Sequence, residues 1–247
     1  MVRLKTLDEA VVWHDVECAS YAADLDLWRA LADECPGELI DIGAGTGRVA
    51  LDLAALGHDV TALDSDPALI TALGSRARER GLRVRTSVAD ARSFDLGRTV
   101  ALVIAPMQVV QLLGGATGRA AMLGRVRAHL EAGGVFAAAL ADPFEDVPEE
   151  EDLLPPLPDV REEGGWVFSS TPVAMRTEGE STAIDRLRQA VSPEGELSES
   201  MATIVLDQLA PEQLEAEAAG AFRALQRRSV PETDSYVGST VVVLDAV

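Results

Sequence analysis

The stretch Asp41-Ile42-Gly43-Ala44-Gly45-Thr46-Gly47 holds the residues best placed for chemistry. Glycine tolerates positive φ and lets backbone amides come close to a ligand. A helix that starts directly afterwards offers unpaired N–H groups and the positive end of its dipole. A dinucleotide-binding fingerprint needs its third glycine at position 48, and this chain has Arg48 there. The third glycine comes one residue early, and a carboxylate stands two places before the first. That pattern provides less for a pyrophosphate and more for a ligand with a cationic ammonium. Taken alone, the loop is also compatible with a tight strand–helix turn that binds nothing.

Two further carboxylates narrow the choice. Asp64 follows about twenty residues after the loop begins, where an acidic side chain can accept from ribose hydroxyls. The competing role in Asp64-Ser65-Asp66-Pro67 is a helix cap, which suits Asp66 better than Asp64. Asp90, in Ala89-Asp90-Ala91, can accept from an adenine amino group with the Ala91 amide alongside, or can be an ordinary loop residue. Asp41, Asp64 and Asp90 each fall at or beside the end of a strand-like run. In open α/β sheets ligands occupy the crevice at those carboxyl ends.

The elements that must position these residues read as follows. Leu25, Trp28, Leu31 and Ala32 recur at helical spacing before the stop at Pro36-Gly37. Strands are expected at 38–42, 59–64, 82–88, 99–105 and 134–141, with helices at 48–56, 67–80 and 119–130. Such alternation builds a parallel sheet from right-handed βαβ units. After Asp142 the pattern changes. Residues 143–163 carry nine carboxylates against Arg161 alone, the composition of an exposed loop. Runs at 166–176, 181–191 and 199–209, separated by Glu178-Gly179 and Ser192-Pro193-Glu194-Gly195, read as an antiparallel meander. A helix at 211–219 and strands at 222–230 and 240–244 complete the chain.

The formal charge is −20, and Lys5 is the only lysine. Such a surface repels nucleic acid and anionic lipid, so neither is expected as a partner. Acidity that only confers solubility is an equally good reading. Cys18 and Cys35 are too few for a disulfide framework or a zinc cluster, and free thiols fit a reducing cytoplasm. No signal peptide is visible. The longest apolar stretch, 100–113, is interrupted by Pro106, Gln108 and Gln111 and is too short to span a bilayer.

In sequence order, Leu39-Ile40-Asp41-Ile42-Gly43-Ala44-Gly45-Thr46-Gly47-Arg48, Val60-Thr61-Ala62-Leu63-Asp64-Ser65-Asp66-Pro67 and Ala89-Asp90-Ala91 resemble class I S-adenosylmethionine (SAM)-dependent methyltransferases. Leu123 to Gly134 is similar to the helix and turn before that family's fifth strand, and 209–214 with 219–223 to its last helix and sixth strand. Trp13-His14-Asp15 with Tyr21 and Asp24-Leu25 resembles the cap of the branch that methylates small molecules such as amines and amino sugars.

The resemblance implies a Rossmann-like, seven-stranded, mostly parallel sheet with flanking helices and its last strand antiparallel, plus a small antiparallel β insert. One domain over 1–247 would comprise cap helices (1–35), a SAM-binding core (36–142), the acidic loop and meander (143–209), and a C-terminal helix with two strands (210–247). By position, Asp41 and the loop of Gly43, Ala44, Gly45 and Gly47 would hold the methionine part. Asp64 with Ser65 would hold the ribose, and Asp90 with Ala91 the adenine. Tyr21 would close over the methionine end, Pro106 would border the sulfonium, and Gln111 counts with the cofactor set. The product would be S-adenosylhomocysteine.

Methyl transfer from a sulfonium is an in-line displacement in which the cofactor supplies the electrophile. A neutral amine acceptor needs little base, whereas a hydroxyl needs one within reach. His58 falls in the turn before the second strand and His129 in the helix before the fifth, both away from the strand tips, leaving His14 as the candidate base, against a plain packing role in the cap. Departures from the family include His14 where an aromatic Tyr is frequent and Leu112 where His is frequent. The partner expected is a small-molecule methyl acceptor, with the meander serving as a cap over its pocket or as the face of a homodimer. Two other readings compete: a SAM- or nucleoside-binding protein without turnover, and an NAD oxidoreductase, which the residue at position 48 disfavours.

Overall fold

The computed structural model describes residues 8–141, 157–233 and 236–247; the acidic run from Glu145 to Asp152, expected as a loop, lies outside them. In chain order the first elements are α1 (Glu9–Cys18), α2 (Leu25–Glu34), β1 (Glu38–Ile42), α3 (Arg48–Ala55), β2 (Asp59–Asp64), α4 (Pro67–Glu79) and β3 (Val84–Val88). Then come β4 (Val100–Ala105), a 3-10 turn (Val109–Leu112), α5 (Ala116–Ala128), β5 (Leu130–Ala141), β6 (Asp159–Glu163), β7 (Trp166–Glu178), β8 (Ser181–Val191) and β9 (Leu197–Asp207). The last are α6 (Pro211–Ala218), β10 (Phe222–Ala224), β11 (Arg228–Val230) and β12 (Ser239–Ala246). They fall into two compact units, one of residues 21–141 with 209–233 and 236–247, the other of 8–20 with 157–208.

The larger unit is a sheet in the order β3-β2-β1-β4-β5-β12-β10, with β11 also paired to β12. Neighbours from β3 through β5 run parallel, and β12 runs antiparallel to β5 and to β10. Side chains of a strand alternate between faces, and two apolar layers result. Ile40, Ile42, Leu63, Val103, Phe136 and Val242 pack on one side with Met122, Val126 and Leu214 of α5 and α6. Leu39, Val60, Ala62, Leu102, Ile104 and Val243 pack on the other with Trp28 and Leu31 of α2, Leu53 of α3 and Leu73 of α4. Asp41 shares the alternation of Leu39, so its carboxylate is directed to the second layer, where α2 and α3 lie.

The smaller unit is an antiparallel sheet in the order β6-β7-β8-β9, with α1 against β6 and β7. Val12, Trp13 and Val16 pack on Phe168 and Ala190. The Glu17 carboxylate accepts from the Ser170 hydroxyl at 2.8 Å and from the Arg188 guanidinium at 2.8 and 2.9 Å.

Four expectations shift. The charged residues 159–163 form a strand, an edge position where charge is tolerated because the outer backbone faces solvent. β5 begins at Leu130 instead of 134; Val100 pairs with Leu130 but Leu102 with Val135, so the intervening turn is absorbed as a bulge. α5 begins at Ala116, three residues before the expected start. The run at 222–230 is two strands. Ala224 faces Leu244 and Arg228 faces Val241, four steps on one side against three on the other, and the extra residue breaks the ladder.

Candidate functional site

The glycine loop spans the turn from β1 to α3, with φ of +68° at Gly43, +55° at Gly45 and +99° at Gly47. L side chains rarely adopt these values. A Cβ on Gly43 would meet Val109 Cγ2 at 2.5 Å, and one on Gly47 would meet Leu51 and Leu73 at 2.8 Å. Two of the three glycines are therefore demanded by the protein's own packing. The Ala44 amide donates to the Leu63 carbonyl at 3.0 Å, and the Gly45 amide donates to Asp64 Oδ2 at 2.9 Å. The Ala89 amide donates to the Asp64 carbonyl at 2.9 Å. These bonds tie the ends of β1, β2 and β3 into one edge, the carboxyl edge of the parallel strands.

Asp41 is 1% exposed, and neither of its oxygens has a hydrogen-bond partner. Unpaired buried carboxylates are rare because desolvation disfavours the charge. Burial pushes its carboxyl up to about 8; the charge of Arg48 works downward, and those of Asp64 and Asp24 upward. The Ala50 amide, short of hydrogen-bond geometry, also lowers it slightly. Arg48 is held against Asp24 in a two-pronged pair of 2.5 and 2.8 Å, with side chains only 9% and 3% exposed. It also donates to the Tyr21 carbonyl at 3.1 Å and lies 5.0 Å from the Tyr21 ring centre. Asp24 accepts from Trp28 Nε1 at 2.8 Å.

The other expected site residues have definite positions. Asp64 ends β2, its Oδ1 accepting from the Asp66 amide at 3.0 Å, while Asp66 caps α4 through the Ala68 amide at 2.8 Å. Ser65 lies between them. Asp90 follows β3 and pairs with Arg92, whose guanidinium and amide hold it below the usual carboxylate range. Ala91 is buried. Tyr21 is buried, its ring centre 4.9 Å from that of Tyr236, and burial followed by the Asp24 charge pushes its phenol up. Pro106 directly follows β4 and is buried, and Gln111 Oε1 accepts from the Ala141 amide at 2.9 Å, tying the 3-10 turn to the end of β5. His14 sits on α1, in the smaller unit. His58 precedes β2 and His129 precedes β5, so both belong to the amino ends of the strands.

Sequence reasoning missed three contributors. Arg48 counted only as a missing glycine, although it is the first basic residue after the loop. Met107 takes φ +57° directly after Pro106, and a non-glycine residue there signals strain of the kind concentrated at functional sites. Tyr236 comes to Tyr21 from far along the chain, with no local signal.

These residues fit a ligand that brings an ammonium and a ribose. Asp41 lacks a counter-charge at hydrogen-bond range, Asp64 ends a strand at the same edge, and the loop between them turns at positive φ. Among the described residues no cluster of His, Cys, Asp or Glu is placed to hold a metal, and no helix is long and apolar enough to cross a membrane.

Comparison with known proteins bears on the fold that carries these residues. Residues 39–134 match the family of methyltransferase domains. No curated relative matches the chain in sequence. Among solved structures, a sugar N-methyltransferase from Streptoalloteichus superposes with a TM-score of 0.72 at 21% identity, over 98% of this chain and 96% of that one. An amino pentose methyltransferase from Micromonospora echinaspora, solved with SAM bound, gives 0.68 at 22% identity, over 99% and 100%. A SAM-dependent methyltransferase from Clostridium acetobutylicum gives 0.72 at 13% identity, over 95% and 96%. At such identities the superpositions fix the fold, and residues 39–134 are similar to the family of methyltransferase domains.

Proposed function

We propose that this chain is an enzyme that transfers a methyl group from SAM to the nitrogen of a small-molecule amine. The observation that carries the reading is Asp41, a buried carboxylate without a hydrogen-bond partner beside a glycine loop on the carboxyl edge of the sheet. When bound, SAM supplies a methyl group activated by a sulfonium. The chain's own residues then have to hold the cofactor and align the acceptor, and alignment alone can supply much of the rate. Asp41 and the Gly43–Gly47 loop hold the amino-acid end, Asp64 accepts from the ribose, and Asp90 with Ala91 faces the adenine. Pro106 and Met107, at the end of β4, border the reacting centre.

Nitrogen is favoured over oxygen because both histidines of the larger unit belong to the amino ends of the strands, and an amine dispenses with the base that a hydroxyl requires. The sugar N-methyltransferase and the amino pentose methyltransferase among the structural relatives point the same way. The charge of −20 attracts cationic acceptors and repels phosphorylated or carboxylate ones. The acceptor is a metabolite, and the compartment is the cytoplasm.

The test is formation of S-adenosylhomocysteine with two acceptor panels at one pH, one of amines including amino sugars and one of hydroxyl compounds. Turnover confined to amines supports the proposal. Turnover confined to phenols or alcohols overturns the choice of nitrogen, and SAM binding without turnover on either panel favours a binding protein of the same fold.

A further inference from the structure

The carboxylate of Asp41 is enclosed by groups that leave its charge uncompensated. In register beside it stand Ala62 of β2 and Ile104 of β4, neither titratable. From α3 comes the guanidinium of Arg48, already committed to both oxygens of Asp24. Asp24, before α2, and Asp64, at the end of β2, add negative charge that disfavours ionisation of Asp41. Both oxygens are closed to solvent, so water does not stabilise the anion either. A cation brought to the glycine loop changes that balance, because in a medium of low dielectric a counter-charge acts strongly.

We propose that Asp41 gives up a proton when the cofactor's ammonium arrives, and that the Arg48–Asp24 pair sets how readily it does so. The inference rests on the reading of the site as a SAM site. In balance, the protonated carboxyl of Asp41 and the ammonium become a carboxylate–ammonium pair, and one proton passes to the buffer. Arg48 acts here as a positioning residue: its charge favours the Asp41 carboxylate while its guanidinium is paired with Asp24.

Asp41 is protonated below about pH 8, and a free α-amino group is protonated below about 7.7–8.0. At pH 6.5 both partners carry their protons before they meet, so binding releases close to one. Well above pH 8 both have lost them, and the same bound pair requires uptake of one.

The experiment is calorimetric titration of the full chain with SAM at pH 6.5, in PIPES and in Bis-Tris. These buffers differ in ionisation enthalpy, so the difference in binding heat counts the protons. The expected result is release of about one proton per SAM, turning to uptake near pH 9. Methylthioadenosine, which lacks the amino-acid part, is expected to release none. Asp41→Asn is expected to bind SAM at least tenfold more weakly and without release. Arg48→Met is expected to move the crossover to higher pH, and Arg48→Lys to move it back. SAM binding with the same heat in both buffers overturns the proposal and leaves the SAM site intact. Equal release with methylthioadenosine places the proton elsewhere and overturns it as well. Absence of any SAM binding overturns both the proposal and the SAM reading.

Discussion

Asparagine has the shape of a protonated aspartate and no proton to exchange, so Asp41→Asn isolates what the buried carboxyl does to the ligand-free protein. The unfolded chain ionises Asp41 near 3.8, while the folded protein holds the carboxyl up to about 8. Between those values folding takes up a proton, and stability falls as pH rises; below the lower value both states are protonated, and above the upper one both are ionised. Each pH unit inside the window corresponds to about 1.4 kcal/mol. From pH 5 to pH 7 the wild type therefore loses about 2.7 kcal/mol that the variant keeps. On a chain of this size that is a relative Tm change on the order of 5–10 °C. Urea denaturation of both proteins at pH 5, 6, 7 and 9, without ligand, measures it. The variant's advantage should grow from pH 5 to 7 and level off above about 8. An advantage that stays constant over the series would refute the reasoning, since it would mean that Asp41 ionises alike in both states.

Four further outcomes are expected. Asp64→Ala should weaken SAM binding at least tenfold, because ribose hydroxyls lose a charged acceptor worth about 1.5–3 kcal/mol; unchanged affinity by calorimetry in a folded variant removes the ribose assignment. Gly43→Ala should destabilise the fold by placing Cβ 2.5 Å from Val109 Cγ2, and Val109→Ala in the same chain should recover part of the loss but not the roughly 1–2 kcal/mol of left-handed strain. No recovery in thermal melts would contradict the contact. Arg119→Ala should cost about 3–5 kcal/mol, because its side chain is 4% exposed and bonds Glu217 at 2.7 Å through both Nε and Nη2; a loss near zero in urea would show a screened pair. Amine turnover should fall as salt rises, and replacing Glu149, Glu150 and Glu151 by Gln should flatten that dependence; unchanged kcat/KM in the variant removes steering by those residues.

The larger unit's succession of strands and helices was legible because its signals are local. A glycine loop sits between a short apolar run and a helix, Pro67 opens α4, and each strand alternates with a helix long enough to return the chain. The candidate carboxylates were legible for the same reason, since each marks a strand end. What the sequence hid is long-range. The Asp24–Arg48 pair joins residues 24 apart, and Tyr21 meets Tyr236 across most of the chain. Nothing in the string distinguishes Asp41, left without a partner, from Asp90, which is paired with Arg92 two residues on. Residues 159–163 read as loop from charge alone, yet pairing with β7 makes them a strand. Composition reports exposure more faithfully than it reports backbone geometry.

The carboxyl edge of the larger sheet is proposed to hold SAM and not a dinucleotide. Calorimetric titration of the purified chain with SAM, S-adenosylhomocysteine and NAD in one buffer tests it most directly. Saturable binding of SAM and S-adenosylhomocysteine at one site per chain, with no heat from NAD, is the predicted result; binding of NAD with no response to SAM would contradict it.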